Sequence, residues 1–246
     1  DDIMDAAPLR RGKPTVHNKF GLNAGVLTGD VMLALAYDKL LNTDSPNALE
    51  VTKKFSKMAI EVCEGQQMDM DFETQSSVEI AEYLKMIELK TAVLVATALE
   101  IGALIGGADE QNAKALYEFG RNLGIAFQLQ DDILDAYGNP EKFGKKPGGD
   151  IAQNKKTYLY LKALEVAPAP IGAELHALFN KPNQDETAKI AAVIGIFNKL
   201  NIRDLAEKKM EEYWQAALSA LGQVNTKAEK KTLLEEFAKN LMVREF

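Results

Sequence analysis

Apolar residues recur at helical spacing along most of this chain. Val51, Phe55, Met58, Ala59 and Val62, for example, follow the pattern that places side chains on one face of an amphipathic helix. No stretch shows the sustained alternation of apolar and polar residues that indicates a half-buried strand. The predicted fold class is therefore all-α, with about nine or ten helices.

Turn and capping residues set the predicted helix boundaries. The cluster NTDSPN at 42–47 and the glycines before Asp109 read as breaks, and Asp185 reads as an N-cap. Residues 138–150 are predicted to be an irregular, mobile flap, and 167–172 a proline-marked loop. The predicted helices cover 22–41, 48–69, 78–104, 110–137, 156–166, 173–179, a segment after Asp185, 204–221 and 227–242.

Length and charge limit the function classes. A chain of 246 residues is long enough for one large domain, and a net charge of −7 gives no electrostatic support for a nucleic-acid partner. Its one cysteine, Cys63, excludes an internal disulfide, fits a reducing, cytoplasmic location and is expected to be buried on a helix. The most apolar run, 91–108, contains Glu100 and is interpreted as a buried helix of a soluble protein, not a transmembrane segment.

Three carboxylates lie inside the apolar stretch FQLQDDILD at 127–135. On a helix, Asp131 and Asp135 share one face about one turn apart, with Asp132 beside them. Like charges at this spacing repel each other, so a divalent cation between them would relieve an unfavourable arrangement. A solvated acidic helix face is the alternative interpretation of a single such motif.

The same spacing occurs once more at the start of the chain, where DDIMD supplies Asp1, Asp2 and Asp5. Each copy precedes a basic, glycine-containing segment, RRGK at 10–13 and KFGKKPGG at 142–149. Magnesium takes one or two carboxylates and completes its coordination with water and phosphate oxygens. Carboxylates followed by Arg and Lys therefore predict a magnesium ion shared with a phosphate ligand.

The order of the motifs resembles that of the trans-type polyprenyl diphosphate synthases, the family of farnesyl and geranylgeranyl diphosphate synthases. The motifs are DDIMD with RRGKPTVH, then GQQMD, LKT, and FQLQDDILD with GKKPGGDIAQNKKT, within residues 1–157. The resemblance implies a helical bundle around a central active-site cavity. It also implies a homodimer that condenses isopentenyl diphosphate head-to-tail with an allylic diphosphate, giving a longer trans-polyprenyl diphosphate and diphosphate.

The resemblance also implies roles for single residues. The magnesium ligands, for three ions with bound diphosphate, would be Asp1, Asp5 and Asp131, supported by Asp2, Asp132 and Asp135. Contacts to the diphosphates would come from Arg10, Arg11, Lys90, Lys145 and Lys155, with Lys156 as a neighbour because the spacer before it is one residue longer than usual. The reacting centre would be lined by Thr91 and Gln128, with Gln66 and Asp69 near it.

This chemistry needs no catalytic His or Cys. Breaking an allylic carbon–oxygen bond leaves a charged diphosphate, which cations placed in advance stabilise. The carbocation requires an apolar, water-excluding pocket with dipoles such as the Thr91 hydroxyl and the Gln128 carbonyl.

Three alternatives remain at this point. A terpene cyclase on the same fold usually has an Asn/Ser/Glu metal motif in place of the second aspartate motif, and a non-catalytic subunit of a heteromeric synthase would have decayed motifs. A generic helical scaffold that exposes acids is the third. The family normally has several helices before the first motif, so the chain is expected to be N-terminally incomplete and poorly active alone. The residues that set product length are expected to precede Asp1.

Overall fold

A computed structural model of the chain describes residues 2–139, 147–180 and 185–242. Nearly all of these residues lie in helices, so the predicted all-α class is confirmed. The chain divides into two compact units, Asp1–Lys57 and Met58–Phe246, which are described separately below. The single domain predicted from the length stays a prediction.

The first unit contains a small β-hairpin that the sequence did not predict. Strands β1 (Leu9–Arg10) and β2 (Lys13–Pro14) pair antiparallel, with Arg10 opposite Lys13. The two connecting residues, Arg11 and Gly12, both have positive φ angles of 52° and 74°, as a type I′ turn requires. Two-residue strands are too short to show alternation, which is why the expectation of no strand was wrong.

The helices of the first unit follow the hairpin. Helix α1 is Val16–Phe20, α2 is Leu22–Leu41 as predicted, and α3 (Ala48–Thr74) begins here. Residues 2–6 of the first aspartate motif form turns. The helix-face interpretation is therefore wrong for the described part of that motif.

The second unit contains the rest of α3 and the remaining helices. Two of the helices begin at aspartate caps, since Asp109 and Asp185 accept hydrogen bonds from backbone N–H groups three residues later. The elements after α3 are α4 (Ile80–Ile87), a π-helical turn (Glu88–Ala92), α5 (Val93–Ile105), α6 (Glu110–Tyr137), α7 (Gly149–Ala152), α8 (Tyr158–Val166), α9 (Ala169–Asn180), α10 (Glu186–Lys199), α11 (Ile202–Gln223) and α12 (Ala228–Met242).

Several predicted boundaries differ from the observed ones. The helix predicted at 78–104 is interrupted by the π-helical turn, and the loop predicted at 167–172 overlaps α9. Pro170 lies in the first turn of α9, where a missing N–H removes no hydrogen bond of the helix. Cys63 is exposed on α3 and not buried. Most of the predicted flap, 140–146, lies outside the described residues.

Helix α6 lies at the centre of the second unit and packs against α5 and α11. Its glycines allow close approach to α5, because a methyl group at Gly124 would lie 2.6 Å from Ala92 Cα and one at Gly120 would lie 2.7 Å from Ala96 Cα. Phe119 and Leu123 are almost completely buried beside these glycines. This contact fixes α6, and with it the second aspartate motif, against the segment that contains the π-helical turn.

In the described part of the chain, none of the helices has the length and hydropathy needed to cross a membrane. The same holds for the apolar run at 91–105, most of which forms α5.

Candidate active site

An open cleft lies within the second unit. Segments from α3, α4, the π-helical turn, α6 and residues 150–157 form its walls. The cleft brings together six residues predicted from the sequence: Asp69, Lys90, Thr91, Gln128, Asp132 and Lys155. It is also lined by Phe72, Glu73, Tyr83, Met86, Ile87, Asp150, Lys156 and Thr157.

The π-helical turn presents Lys90 and Thr91 at the cleft. Turns of this kind are rare and occur often at functional sites. The Lys90 ammonium donates to Asp69 Oδ2 at 2.6 Å, so an ion pair joins the turn to α3. Gly65, one turn before Asp69, allows the approach, because a methyl group there would lie 2.7 Å from Lys90 Cα.

Thr91 and Gln128, which were expected to line the reacting centre, lie next to each other. The Thr91 hydroxyl donates to Gln128 Oε1 at 3.2 Å. The hydrogen bond crosses from the π-helical turn to α6 and is half-buried. The two dipoles predicted to face a carbocation are therefore adjacent.

Asp132 is buried at the base of the cleft, where only 4% of its surface is exposed. Its Oδ2 accepts hydrogen bonds from the Tyr83 hydroxyl at 2.5 Å and the Tyr158 N–H at 3.3 Å, and its Oδ1 accepts one from Gln128 Nε2 at 3.4 Å. Burial and the charge of Asp150 raise the pKa of Asp132 to about 8, although these hydrogen bonds lower it. Burial and the Asp132 charge also raise the pKa of Tyr83 well above its usual range.

The end of α6 is hydrogen-bonded to the segment that begins at residue 147. Asp135 Oδ2 accepts the Asp150 N–H at 3.0 Å, and the Asp135 carbonyl accepts the Gly148 N–H at 2.6 Å. Gly148 has a φ of +87°, a left-handed conformation that glycine adopts without strain. The segment then brings Lys155 Nζ to 3.8 Å from Asp150 Oδ1.

The adjacent lysines Lys155 and Lys156 have different surroundings. The Lys156 ammonium donates to the carbonyls of Phe72 and Glu73, near the C-terminal end of α3. A cation is favoured there because the last carbonyls of a helix carry partial negative charge. Burial lowers the pKa of Lys156. Lys156 therefore caps α3, while Lys155 forms an ion pair with Asp150 beside the aspartate motif.

The predicted residues of the first unit lie on and before the hairpin. Arg10 Nε and Nη2 donate to Asp2 Oδ1 at 2.7 and 2.5 Å. Asp5 and Arg11 are exposed, with Arg11 at the tip of the hairpin. Asp1 and Lys145 lie outside the described residues. Gln66 is half-buried on α3 and is not one of the residues that line the cleft.

The carboxylates of the second aspartate motif meet the requirements of a magnesium ion that is shared with a phosphate ligand. Within residues 2–139, 147–180 and 185–242, no three carboxylate, imidazole or thiol groups are close enough to hold a metal by themselves. Asp131 and Asp135 are half-buried, one turn apart on α6. Because magnesium needs only one or two protein carboxylates when a phosphate supplies other ligands, this pair fits a metal shared with diphosphate.

Tyr83 and Asp150 are among the cleft residues to which the sequence analysis assigned no role. Tyr83 lies 49 positions before Asp132, and its spacing on α4 is that of any buried apolar residue. Asp150 was part of a recognised motif, GKKPGGDIAQNKKT. A carboxylate at the end of a predicted irregular flap gave no signal of its own.

Comparison with known proteins decides the family. The family model for polyprenyl synthetase matches residues 1–196. The chain belongs to the polyprenyl synthetase family. A geranylfarnesyl diphosphate synthase of Natronomonas pharaonis is 35% identical over all of this chain and 70% of its own length, and a geranylgeranyl diphosphate synthase of Sulfolobus acidocaldarius is 38% identical over 93% of this chain and 70% of its own.

Solved structures of this family agree. The crystal structure of a geranylgeranyl pyrophosphate synthase is 46% identical, with a TM-score of 0.93 over 100% of this chain and 76% of that one. The predicted enzyme class, a trans-prenyltransferase of the polyprenyl synthetase family, is thereby confirmed. The terpene cyclase and non-catalytic subunit alternatives are not favoured.

Proposed function

We propose that this polyprenyl synthetase condenses isopentenyl diphosphate with an allylic diphosphate through an allylic carbocation. The observation that carries the proposal is the position of Thr91 and Gln128 in one cleft with the Lys90–Asp69 ion pair and with Asp132 of the second aspartate motif. Relatives named geranylgeranyl and geranylfarnesyl diphosphate synthases support a prenyl diphosphate product lengthened by isopentenyl units.

The diphosphate end of the allylic substrate binds at the charged side of the cleft. Asp131 and Asp135 would hold magnesium beside the cleft, with Asp132 as a buried support, and Lys90 and Lys155 would bind the diphosphate oxygens as point charges. Magnesium supplies Lewis-acid stabilisation of the departing diphosphate when bound. The family resemblance implies three magnesium ions when diphosphate is bound.

The first unit contributes its own ligands. Asp1, Asp2 and Asp5 are proposed as magnesium ligands, and Arg10 and Arg11 as contacts to the allylic and isopentenyl diphosphates. The Arg10–Asp2 ion pair supports this assignment, because it holds the Arg10 guanidinium beside the first aspartate motif. A complex of metal and diphosphate would need a carboxylate for the metal and a guanidinium for the phosphate oxygens. Lys145 is proposed as a further diphosphate contact.

The reacting carbon lies toward Thr91 and Gln128. The oxygens of these side chains stabilise positive charge without acting as strong nucleophiles. Asp69 of α3 borders this region, and Gln66 is proposed to stand near it. Phe72, Met86 and Ile87, which are buried side chains lining the same cleft, exclude water from the cation. By the family resemblance, the proton released after condensation is taken up by the departing diphosphate, so this step requires no His or Cys.

A product assay tests the proposal. The protein is incubated with labelled isopentenyl diphosphate and each of the three shortest allylic diphosphates, with magnesium or with chelator, and the extracted prenols are separated by length. Magnesium-dependent elongation of at least one primer is expected. Release of a cyclic hydrocarbon without isopentenyl diphosphate would indicate a cyclase, and no product from any primer with the complete protein would contradict the proposal.

A homodimer and a cytoplasmic location belong to the same proposal. The family resemblance supports both. Sedimentation of the purified protein is expected to give twice the chain mass, and cell fractionation is expected to recover the activity in the fraction without membranes.

A further inference from the structure

Asp132 is buried beneath the reacting centre and is held by Tyr83 of α4. The Tyr83 hydroxyl donates to Asp132 Oδ2 at 2.5 Å, a distance typical of a hydrogen bond to a carboxylate. Tyr83 is only 3% exposed and Asp132 only 4% exposed. A buried hydrogen bond of this kind fixes the orientation of the carboxylate plane.

The other oxygen of Asp132 determines the orientation of the Gln128 amide. Gln128 Nε2 donates to Asp132 Oδ1 at 3.4 Å, while Gln128 Oε1 accepts from the Thr91 hydroxyl at 3.2 Å. A side-chain amide has donors on nitrogen and acceptors on oxygen. With its nitrogen held by Asp132, the oxygen is the atom that remains toward Thr91.

That orientation decides the sign of the dipole at the reacting centre. A carbonyl oxygen stabilises a developing carbocation, whereas a rotated amide would present its positively polarised NH₂ group instead. Electrostatic stabilisation depends on dipoles that are oriented before the reaction begins. A residue that prevents rotation of the Gln128 amide therefore affects the rate of ionisation more than substrate binding.

We propose that Tyr83 is a positioning residue for prenyl transfer: its hydroxyl holds Asp132 so that the Gln128 carbonyl faces Thr91 and the reacting carbon. The inference rests on the proposed function. Tyr83 acts through Asp132 and Gln128, because its hydroxyl is already hydrogen-bonded to the carboxylate.

Kinetics of Tyr83→Phe in the full chain test the proposal. Loss of one buried hydrogen bond is expected to lower kcat about three- to tenfold while KM for either substrate stays within about twofold. In a Gln128→Ala background the same change is expected to have no further effect on kcat, because the group it positions is absent. Tyr160→Phe is the control, since Tyr160 is a buried tyrosine stacked on Phe179 away from the cleft.

A measurement independent of turnover separates this inference from the proposed function. The side-chain amide signals of Gln128, assigned by their loss in Gln128→Ala, are followed by ¹⁵N NMR. They are expected to shift and to exchange faster in Tyr83→Phe but not in Tyr160→Phe. Unchanged Gln128 signals, or an equal loss of kcat in both backgrounds, would overturn the inference. If the wild-type protein gives no product, the proposed function fails and the Gln128 signals alone decide the positioning role.

Discussion

Gly65 of α3 lies directly against the backbone of Lys90 in the π-helical turn. A methyl group at position 65 would lie 2.7 Å from Lys90 Cα, which is closer than real side chains approach. The ion pair between Asp69 and Lys90 lies one turn further along α3. The same close contact therefore determines both the packing of α3 and the position of a proposed catalytic lysine.

Gly65→Ala tests this contact. Overpacking is expected to lower the free energy of unfolding by about 1–3 kcal/mol and to displace Lys90. Gly102→Ala is the matched control, because no atom lies near a methyl group at that helical position. The control is expected to gain about 0.5–1 kcal/mol from higher helix propensity. Urea unfolding gives the free energy of unfolding of both variants. Equal changes in the two variants would contradict the close contact between Gly65 and Lys90.

Lys90→Met is expected to lower kcat by about 10²–10³, the usual range for loss of one group that stabilises developing charge. The variant also leaves Asp69 without this ion-pair partner at the cleft. Lys85→Met provides the comparison, since Lys85 pairs with Glu88 and is exposed. Steady-state kinetics with a saturating allylic diphosphate measure the effect. Similar rates for both lysine variants would remove Lys90 from the proposed mechanism.

The adjacent lysines 155 and 156 are expected to respond differently to substitution. Lys155→Met should raise KM for the allylic diphosphate with little change in stability, because Lys155 lies beside Asp150 at the cleft. Lys156→Met should instead lower the free energy of unfolding by about 0.3–1 kcal/mol, since it removes a cation from the end of α3. Steady-state kinetics and thermal unfolding of both variants measure these effects. A raised KM for Lys156→Met and a loss of stability for Lys155→Met would contradict the two assignments.

Lys189 of α10 gives a prediction about pH. It is 4% exposed, donates to the Ala152 carbonyl and to Asn154 Oδ1, and lies 5.1 Å from the centre of the Phe179 ring. Burial lowers the pKa of Lys189, although Glu186 raises it. The folded protein therefore releases this proton at a lower pH than the unfolded chain, and the unfolded chain binds more protons between the two pKa values.

Stability contributed through Lys189 should consequently rise as pH increases through that window. The free energy of unfolding of the wild-type protein minus that of Lys189→Met is expected to grow as pH rises toward the ordinary lysine pKa of about 10.4. Urea unfolding across this range measures the difference. A difference that does not change with pH would contradict the lowered pKa.

Much of the fold could be predicted because its signals are local. Helix α6 has the boundaries expected from the sequence, since Asp109 caps its start and Gly138 follows its end. Its aspartates were recognised as a site because carboxylates are unfavourable in an apolar helix. Thr91 and Gln128 were expected from the family motifs to line one centre, and a hydrogen bond joins them. The ion pair between Lys90 and Asp69 was not expected from the sequence.

Other features depend on tertiary contacts that the sequence does not encode locally. The π-helical turn interrupts an apolar run whose periodicity fits a continuous α-helix. Tyr83 reaches Asp132 only because α4 and α6 pack together, and its residue type gave no indication of that contact. Pro170 was read as a loop signal, although proline is equally compatible with the first turn of a helix.

The central claim is magnesium-assisted prenyl transfer through the second aspartate motif, and Asp131→Ala tests it most directly. Elongation of an allylic diphosphate by labelled isopentenyl diphosphate is measured in magnesium, with Asp30→Ala as a control on exposed α2. The account predicts that Asp131→Ala loses orders of magnitude in turnover with unchanged helical circular dichroism, while Asp30→Ala behaves as wild type. Elongation by Asp131→Ala at the wild-type rate would contradict it.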